Sequence, residues 1–358
     1  MDLSAPLAWL VDEAAAAPGP DAFLAELGAL LSAAGLPLAG GTLTTATPHP
    51  IIARRTWMWR AETGAVIESL GFAGGNGSDP GSDAERGWLI ELGPVHANRI
   101  GSQHDSVLAW AGTRVFSVEE AAVLREVARF AAAPLAALAS RATLGALLDA
   151  YLGRRSAARV QAGALHRGTG ETILAALLFA DLRGFTALSE AAEPTEVIAA
   201  LDAWFDRLAG AVHAFSGEVL KFIGDGVFAI FPVTGTRREA CEAALRAIAA
   251  ASAGMAHLDK QRHEQGLPPL PFGVALHLGE ILWGNIGAAD RLDFTAIGPA
   301  VNLVSRLEGL CRPLGYSVLI SGAVAAEIAT PLVSLGRHEL RGIAASCEVF
   351  TLPGQARG

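Results

Sequence analysis

The chain is expected to be an α+β protein in two parts, and three observations support that expectation. From Thr172 onward, strand-like and helix-like segments follow one another in the order β-α-β-β-α-β. Before residue 140, one short helical stretch and several β-leaning runs close on a long helix. Between the two, residues 141–171 mix helical spacing with glycine and arginine and read as a helical connector. The expected organisation is a smaller α+β domain over 1–140, a connector over 141–171 and a second domain over 172–358.

Composition permits this. Of 358 residues, 51% are hydrophobic and 18% charged, enough for packed cores and too apolar for wholesale disorder. Mean hydropathy is +0.37, but much of it comes from alanine. The most apolar helical stretch, "VARFAAAPLAALASRATLGALL", is interrupted by Arg129, Pro134 and Arg141, so no transmembrane segment is expected. No basic segment followed by an apolar run opens the chain, which predicts no signal peptide and a cytoplasmic protein. A net charge of -9 argues against nucleic acid as a partner. Cys241, Cys311 and Cys347 lie far apart in no metal-ligand spacing and read as small thiols in a reducing compartment.

In the first part, "DAFLAELGALLSAAG" has Phe23, Leu24, Leu27, Leu30 and Leu31 at helical spacing, with Asp21 as the expected N-cap. "GTLTTATPHP" and "ARRTWMWRAE" lean towards strand, and Trp57 and Trp59 share one face of an alternating run, as core or interface residues rather than a ligand stack. "GGNGSDPGSD" is a loop by composition, and "GWLIELGPV" and "SVLAWAG" read as further strands. The stretch from Phe116 to Gly153 reads as one long helix or two broken near Pro134, opened by a Ser117/Glu120 capping box. His49, His96 and His104 read as ordinary solvated or core histidines.

In the second part, "TILAALLFADLRGFTAL" is a buried strand ending at Asp181, with a turn at Gly184. A helix follows, with Pro194 in its first turn, Gly217 as its stop and Val197, Leu201, Trp204, Leu208 and Phe215 facing inward. "EVLKFIGDGVFAIF" is a hairpin turning at "GDG", "RREACEAALRAIAAASAGMAHLDKQRHEQ" a second helix, and "PFGVALHLGEILWGNIG" a strand-turn-strand. "RLDFTAIGPAVNLVSRLEGL" is a strand, a Gly-Pro entry and a helix whose Leu303, Leu307 and Leu310 face the core. The order is that of ferredoxin-like and palm folds.

That order lays the first strand beside the hairpin turn, so Asp181 and Asp225 converge at one sheet edge. Two such carboxylates either repel as solvated turn residues or are neutralised by a cation, with Mg²⁺ or Mn²⁺ suited to oxygen ligands and to phosphate. Backbone amides from Gly184 to Thr186 point where an anion would bind. Asn302 and Arg306, four apart, share a helix face and pair an amide with a guanidinium, which suits a ribose and a phosphate.

"FADLRGFTALS", "LKFIGDG", "HLGEILWGNIG" and "DFTAIGPAVNLVSRLEG" together resemble the catalytic domain of class III nucleotidyl cyclases. The likeness runs from about Thr172 to Leu352, and "YLGRR…RGTGETI" resembles the segment preceding that domain. It implies adenylyl cyclase activity, converting ATP to 3′,5′-cyclic AMP and pyrophosphate with two Mg²⁺ or Mn²⁺ ions per site. It also implies a head-to-tail homodimer whose two sites are shared between chains. Asp181 and Asp225 match the metal-binding aspartates, with Leu182 adding a carbonyl. Gly184, Phe185 and Thr186 match triphosphate contacts, Asn302 and Arg306 the transition-state pair, and Arg341 a basic triphosphate contact. Lys221 and Thr295 match the base-recognising pair of a lysine/threonine subgroup. Lys221, donor-only, suits the N1 acceptor of adenine and opposes the N1–H of guanine. The threonine variant also implies bicarbonate, or another small molecule, as an activator. The first 140 residues resemble a GAF-type sensor domain, without a cysteine for a thioether-linked bilin. The alternatives are a guanylyl cyclase and a catalytically inactive nucleotide-binding module.

Overall fold

The structure, a computed structural model, describes residues 2–46, 52–72, 83–100, 106–164, 166–288 and 290–354. The chain forms two units, Met1–Ala146 and Leu147–Gly358.

The first unit runs α1 (Ser4–Asp12), α2 (Pro20–Ala33), β1 (Leu38–Ala46), β2 (Ile52–Arg60), β3 (Val66–Phe72), α3 (Asp83–Leu92), β4 (Val95–Ile100), β5 (Ser106–Gly112) and α4 (Val118–Leu152), whose residues from Leu147 on belong to the second unit. The strands pair antiparallel in the order β3-β2-β1-β5-β4. Phe23, Leu24, Leu27 and Leu31 of α2 pack with Leu43, Trp57, Trp59 and Trp110, so both expected tryptophans are core. Gly19 caps α2 and Pro20 occupies its first turn, which leaves Asp21 inside the helix rather than at its N-cap.

"GWLIEL" is helical, not a strand. Trp88, Leu89 and Leu92 gather against Ala109 and Ala111 while Ile90 is 64% exposed, a helical rather than an alternating division. The strand begins only at Val95. The "GGNGSDPGSD" loop, up to residue 82, and His49 and His104 lie outside the described residues. His96 sits edge-on to Phe116.

The long helix is one, with Pro134 inside it. The capping box forms in full: Ser117 N–H donates to Glu120 Oε2 at 2.8 Å, and Glu120 N–H to Ser117 Oγ at 3.1 Å. By length and hydropathy alone, α4 is long and apolar enough to cross a bilayer. Its Leu124, Val127, Ala131, Leu135 and Leu138 are spent in the core of the first unit.

The second unit continues with α5 (Arg154–Gln161), β6 (Gly170–Leu182), α6 (Phe185–Ala191), α7 (Pro194–Ala214), β7 (Glu218–Ile223), β8 (Gly226–Pro232), α8 (Arg237–Glu264), β9 (Phe272–Gly287), β10 (Leu292–Ile297), α9 (Pro299–Glu308), β11 (Val318–Ser321), β12 (Val333–His338) and β13 (Cys347–Thr351). Its sheet runs β12-β13-β11-β9-β6-β8-β7, with β10 added on β9. The segment β9-β6-β8-β7 places the fourth, first, third and second strands of the β-α-β-β-α-β unit side by side.

β6 is central and buried on both faces, which explains its unbroken apolar run. Ala176, Leu178 and Ala180 meet Trp204 and Leu208 of α7 and Cys241, Ala244 and Ile248 of α8. Ala175 and Leu177 meet Ala300, Val304 and Leu307 of α9 on the other side.

"PFGVALHLGEILWGNIG" is one sixteen-residue strand, not strand-turn-strand. A Cβ at Gly279 would stand 2.6 Å from the Ala300 Cβ, so that glycine admits α9 rather than turning the chain.

α5 is fixed to the sheet by a buried carboxylate. Glu218, at the start of β7, accepts from the backbone N–H and the hydroxyl of Ser156, both at 3.2 Å. Arg155 lies 4.0 Å from its other oxygen.

Candidate active site

Register brings the two aspartates together. Ala180 pairs with Val227 across β6 and β8, so Asp181, one residue on, lies beside the turn that holds Asp225. Gly224 takes a left-handed φ of 63° in that turn, and the indole N–H of buried Trp204 donates to the Asp225 carbonyl at 2.9 Å. The turn is thus held from below by a side chain that reads, in the sequence, only as part of an apolar stripe.

The carboxyls of Asp181 and Asp225 are close enough to share a hydrogen bond. Burial, the Asp225 contact and charge, and the Glu308 charge push the Asp181 carboxyl up to about 7. Its Oδ1 is buried with no hydrogen-bond partner. A buried acceptor without a donor beside a second carboxylate is a place that a cation satisfies. Among the described residues no group of three or more His, Cys, Asp or Glu side chains is set to hold a metal. Two carboxylates leave room for substrate oxygens, as Mg²⁺ sites do.

Glu308, at the end of α9, approaches the same corner. Burial pushes its carboxyl up to about 7, against the lowering effect of Arg183 and with the raising effect of Asp225. Arg183 donates to the Tyr316 carbonyl at 2.6 Å and keeps its buried Nε without a partner. Arg183 and Glu308 lie inside "FADLRGFTALS" and "DFTAIGPAVNLVSRLEG", but the sequence reading gives neither a role.

Gly184, with φ 74°, ends the turn after Leu182, and α6 starts at Phe185. The Phe185 side chain packs on the core, while Thr186 is exposed. Asn302 and Arg306 both project to solvent from α9, as their spacing predicts, opposite buried Ala300, Val304 and Leu307. Arg341 is exposed in the turn between β12 and β13, with no hydrogen bond or ion pair to another site residue among the described residues.

Lys221 and Thr295 sit at a second place. The register shift between Val219 and Lys221 is a bulge that re-aims the lysine. Its ammonium donates to Asp293 on β10, two residues before Thr295 and on the same face. Thr295 is 9% exposed. Asp293 opens the motif "DFTAIGPAVNLVSRLEG" but is given no role there; the signal it carries is the two-residue alternation of "DFTAI".

Residues 171–352 match the family described as "Adenylate and Guanylate cyclase catalytic domain". The chain belongs to that family. Among relatives, "Adenylate cyclase 1" of Rhizobium meliloti is 35% identical over 184 residues, which are 50% of this chain and 27% of that one. "Adenylate cyclase" of Anabaena cylindrica is 33% identical over 168 residues, 46% of this chain and 32% of that one. The chain thus spans less than a third of either relative. Among solved structures, a bacterial light-regulated adenylyl cyclase is 27% identical with a TM-score of 0.52, covering 62% of this chain and 64% of that one. That likeness fits the α+β fold of the second unit.

Proposed function

We propose that this chain is an adenylyl cyclase that converts ATP to 3′,5′-cyclic AMP and pyrophosphate. The observation that carries the reading is the Asp181–Asp225 pair, with a buried carboxylate oxygen left without a donor beside a family-specific set of nucleotide-binding positions. Asp181, Asp225 and the Leu182 carbonyl are the groups that would hold Mg²⁺ or Mn²⁺, two per site. Bound there, the ions would acidify the ribose 3′-hydroxyl and offset triphosphate charge.

The chain's own groups do the rest. Lys221 donates to adenine N1, and Thr295 accepts from the exocyclic amine. Asn302 orients the ribose. Arg306 stabilises charge building on the α-phosphate. The 3′-oxygen forms its bond to the α-phosphorus as the bond to pyrophosphate breaks in line, and the hydroxyl proton leaves to solvent. Backbone amides from Gly184 to Thr186 receive the triphosphate, and Arg341 serves it only from a position reached in the assembled enzyme.

The active form is a homodimer with two shared sites. Its support is electrostatic: the charges acting on Asp181 come from Asp225 and Glu308, while Lys221 is engaged by Asp293 elsewhere. One chain then supplies the carboxylates, and its partner supplies Lys221, Thr295, Asn302 and Arg306. The first unit is a GAF-like sensor acting through the connector, and bicarbonate or another small molecule is the activator class to add to assays.

The test is cyclic nucleotide formation from ATP and from GTP, with Mg²⁺ or Mn²⁺, by wild type, Asp181→Ala, Arg306→Ala and a mixture of the two variants. Cyclic AMP from wild type, a loss of about 10²-fold or more in each variant, and partial recovery in the mixture are expected. Cyclic GMP as the main product would favour a guanylyl cyclase. No product under any condition would favour an inactive nucleotide-binding module.

A further inference from the structure

We infer that the second unit carries a further ligand site, for a small aromatic carboxylate or phosphate, in the cavity between helix α5, the carboxyl end of α7 and the start of α8. The cavity measures about 350 Å³, within the range of small-molecule sites. Phe215, Phe231, Pro232 and Ala243 supply its apolar lining, and Arg155 and Arg246 its positive charge. Phe231 pairs with Ala176 of β6, and Asp181 stands further along that strand by about 16 Å, at about 3.3 Å per residue. The cavity is therefore distinct from the aspartate pair.

Both arginines have donors to give. Arg246 lies 5.7 Å from the centre of the Phe215 ring, a cation–π distance, and makes no hydrogen bond or ion pair among the described residues. Arg155 donates to the Ser216 carbonyl at 3.4 Å, and its Nε stands 4.0 Å from Glu218 Oε2. That oxygen is buried without a hydrogen-bond partner, so it holds Arg155 at the cavity without satisfying it. A guanidinium carries five N–H donors in a planar fork that fits a carboxylate or a phosphate. Two of them from different helices facing one concavity, in a chain of net charge -9, are complementary to an oxyanion.

The start of α8 is already occupied. Thr236 and Glu239 close it as a capping box, with Glu239 Oε2 accepting from the Thr236 N–H at 2.9 Å. Glu239, a carboxylate on the cavity wall, is engaged there and leaves the arginines free. Phe215 presents a partly exposed ring to the same space, which suits a flat apolar body joined to the anion rather than a bare ion.

The experiment titrates phenyl phosphate, inorganic phosphate and phenol into the full chain without metal, by calorimetry, as wild type, Arg246→Ala, Arg246→Lys, Ala243→Leu and Asp181→Ala. Phenyl phosphate should bind wild type saturably and at least about tenfold more tightly than either fragment, since it alone meets both the guanidinium pair and the ring. Arg246→Ala should weaken it by about tenfold with little change in thermal midpoint, because Arg246 is exposed, and Arg246→Lys should weaken it less. Ala243→Leu, which fills the cavity, should weaken it at least as much. Asp181→Ala should bind as wild type does. No saturation up to about 10 mM, equal affinity for either fragment, or wild-type affinity in Arg246→Ala overturns the inference. Loss of binding in Asp181→Ala also overturns it, by placing the probe in the nucleotide site. Binding is read without turnover, so a chain that forms no cyclic nucleotide counts against the cyclase reading alone.

Discussion

The Asp181 carboxyl at the end of β6 meets the Asp225 carboxyl in the β7–β8 turn, and the buried Oδ1 of Asp181 has no hydrogen-bond partner. Burial is the first cause of its raised pKa, about 7 against an ordinary 3.8, and the neighbouring carboxylates follow. A carboxyl whose folded pKa lies above its unfolded value stabilises the fold fully below the unfolded value. That contribution is lost as pH rises through the folded one. The metal-free protein should therefore lose stability between about pH 4 and 7 through this group, and Asp181→Asn should flatten that slope. Divalent-cation affinity should run the opposite way. A proton must leave before the cation binds, so Mn²⁺ affinity should fall by about tenfold per pH unit below 7 in wild type and lose that dependence in Asp181→Asn. Titration of Mn²⁺ at several pH values checks it; affinity independent of pH in wild type would count against Asp181 as a ligand.

Gly279 decides how closely α9 approaches the sheet. A methyl group there would meet the Ala300 Cβ at 2.6 Å, a contact that only movement relieves. Gly279→Ala should cost about 1–3 kcal/mol and lower turnover, since α9 carries Asn302 and Arg306. Ala300→Gly added to it should recover part of both stability and rate, since His277 Nε2 would still lie 3.0 Å from the new methyl. Chemical denaturation and kcat on the three variants test this, and failure of the double variant to recover would place the strain elsewhere.

Glu218 ties the connector helix to the strand that carries Lys221. Removing its carboxylate leaves the Ser156 N–H and hydroxyl without their acceptor in a buried position. Glu218→Ala should destabilise the second unit by about 1–3 kcal/mol, and Glu218→Gln by less, because one acceptor remains. Limited proteolysis should show new cleavage near Gly153 in the alanine variant. Equal stability of all three proteins would mean that α5 is held by other contacts.

Much of the second unit is legible in the residue pattern. The β-α-β-β-α-β order dictates which strands are neighbours, and neighbouring strands carry Asp181 towards Asp225. Helical spacing puts Asn302 with Arg306 on the exposed face of α9, where both are found. The misreadings have local causes. "GWLIEL" is a short apolar run that suits a strand as well as a helix, yet its burial follows a helix because Trp88, Leu89 and Leu92 have a sheet face to cover. Gly279 carries the residue type of a turn, yet serves a close approach between elements distant in sequence. Asp293 sits inside a recognised motif without standing out from it, because what singles it out is the ammonium of a residue 72 positions away.

Strand order, the cyclase family motifs and the faces of α9 follow from the linear chain alone, because periodicity and residue type are local properties. Which charges meet is a property of the folded molecule. Asp181 carries an unmet buried oxygen, Glu308 joins its corner, and Lys221 turns to Asp293 rather than to the aspartate on its own hairpin. Desolvation and Coulomb energy depend on distance in space, and that distance is set by register, a bulge and one absent Cβ after the elements have formed.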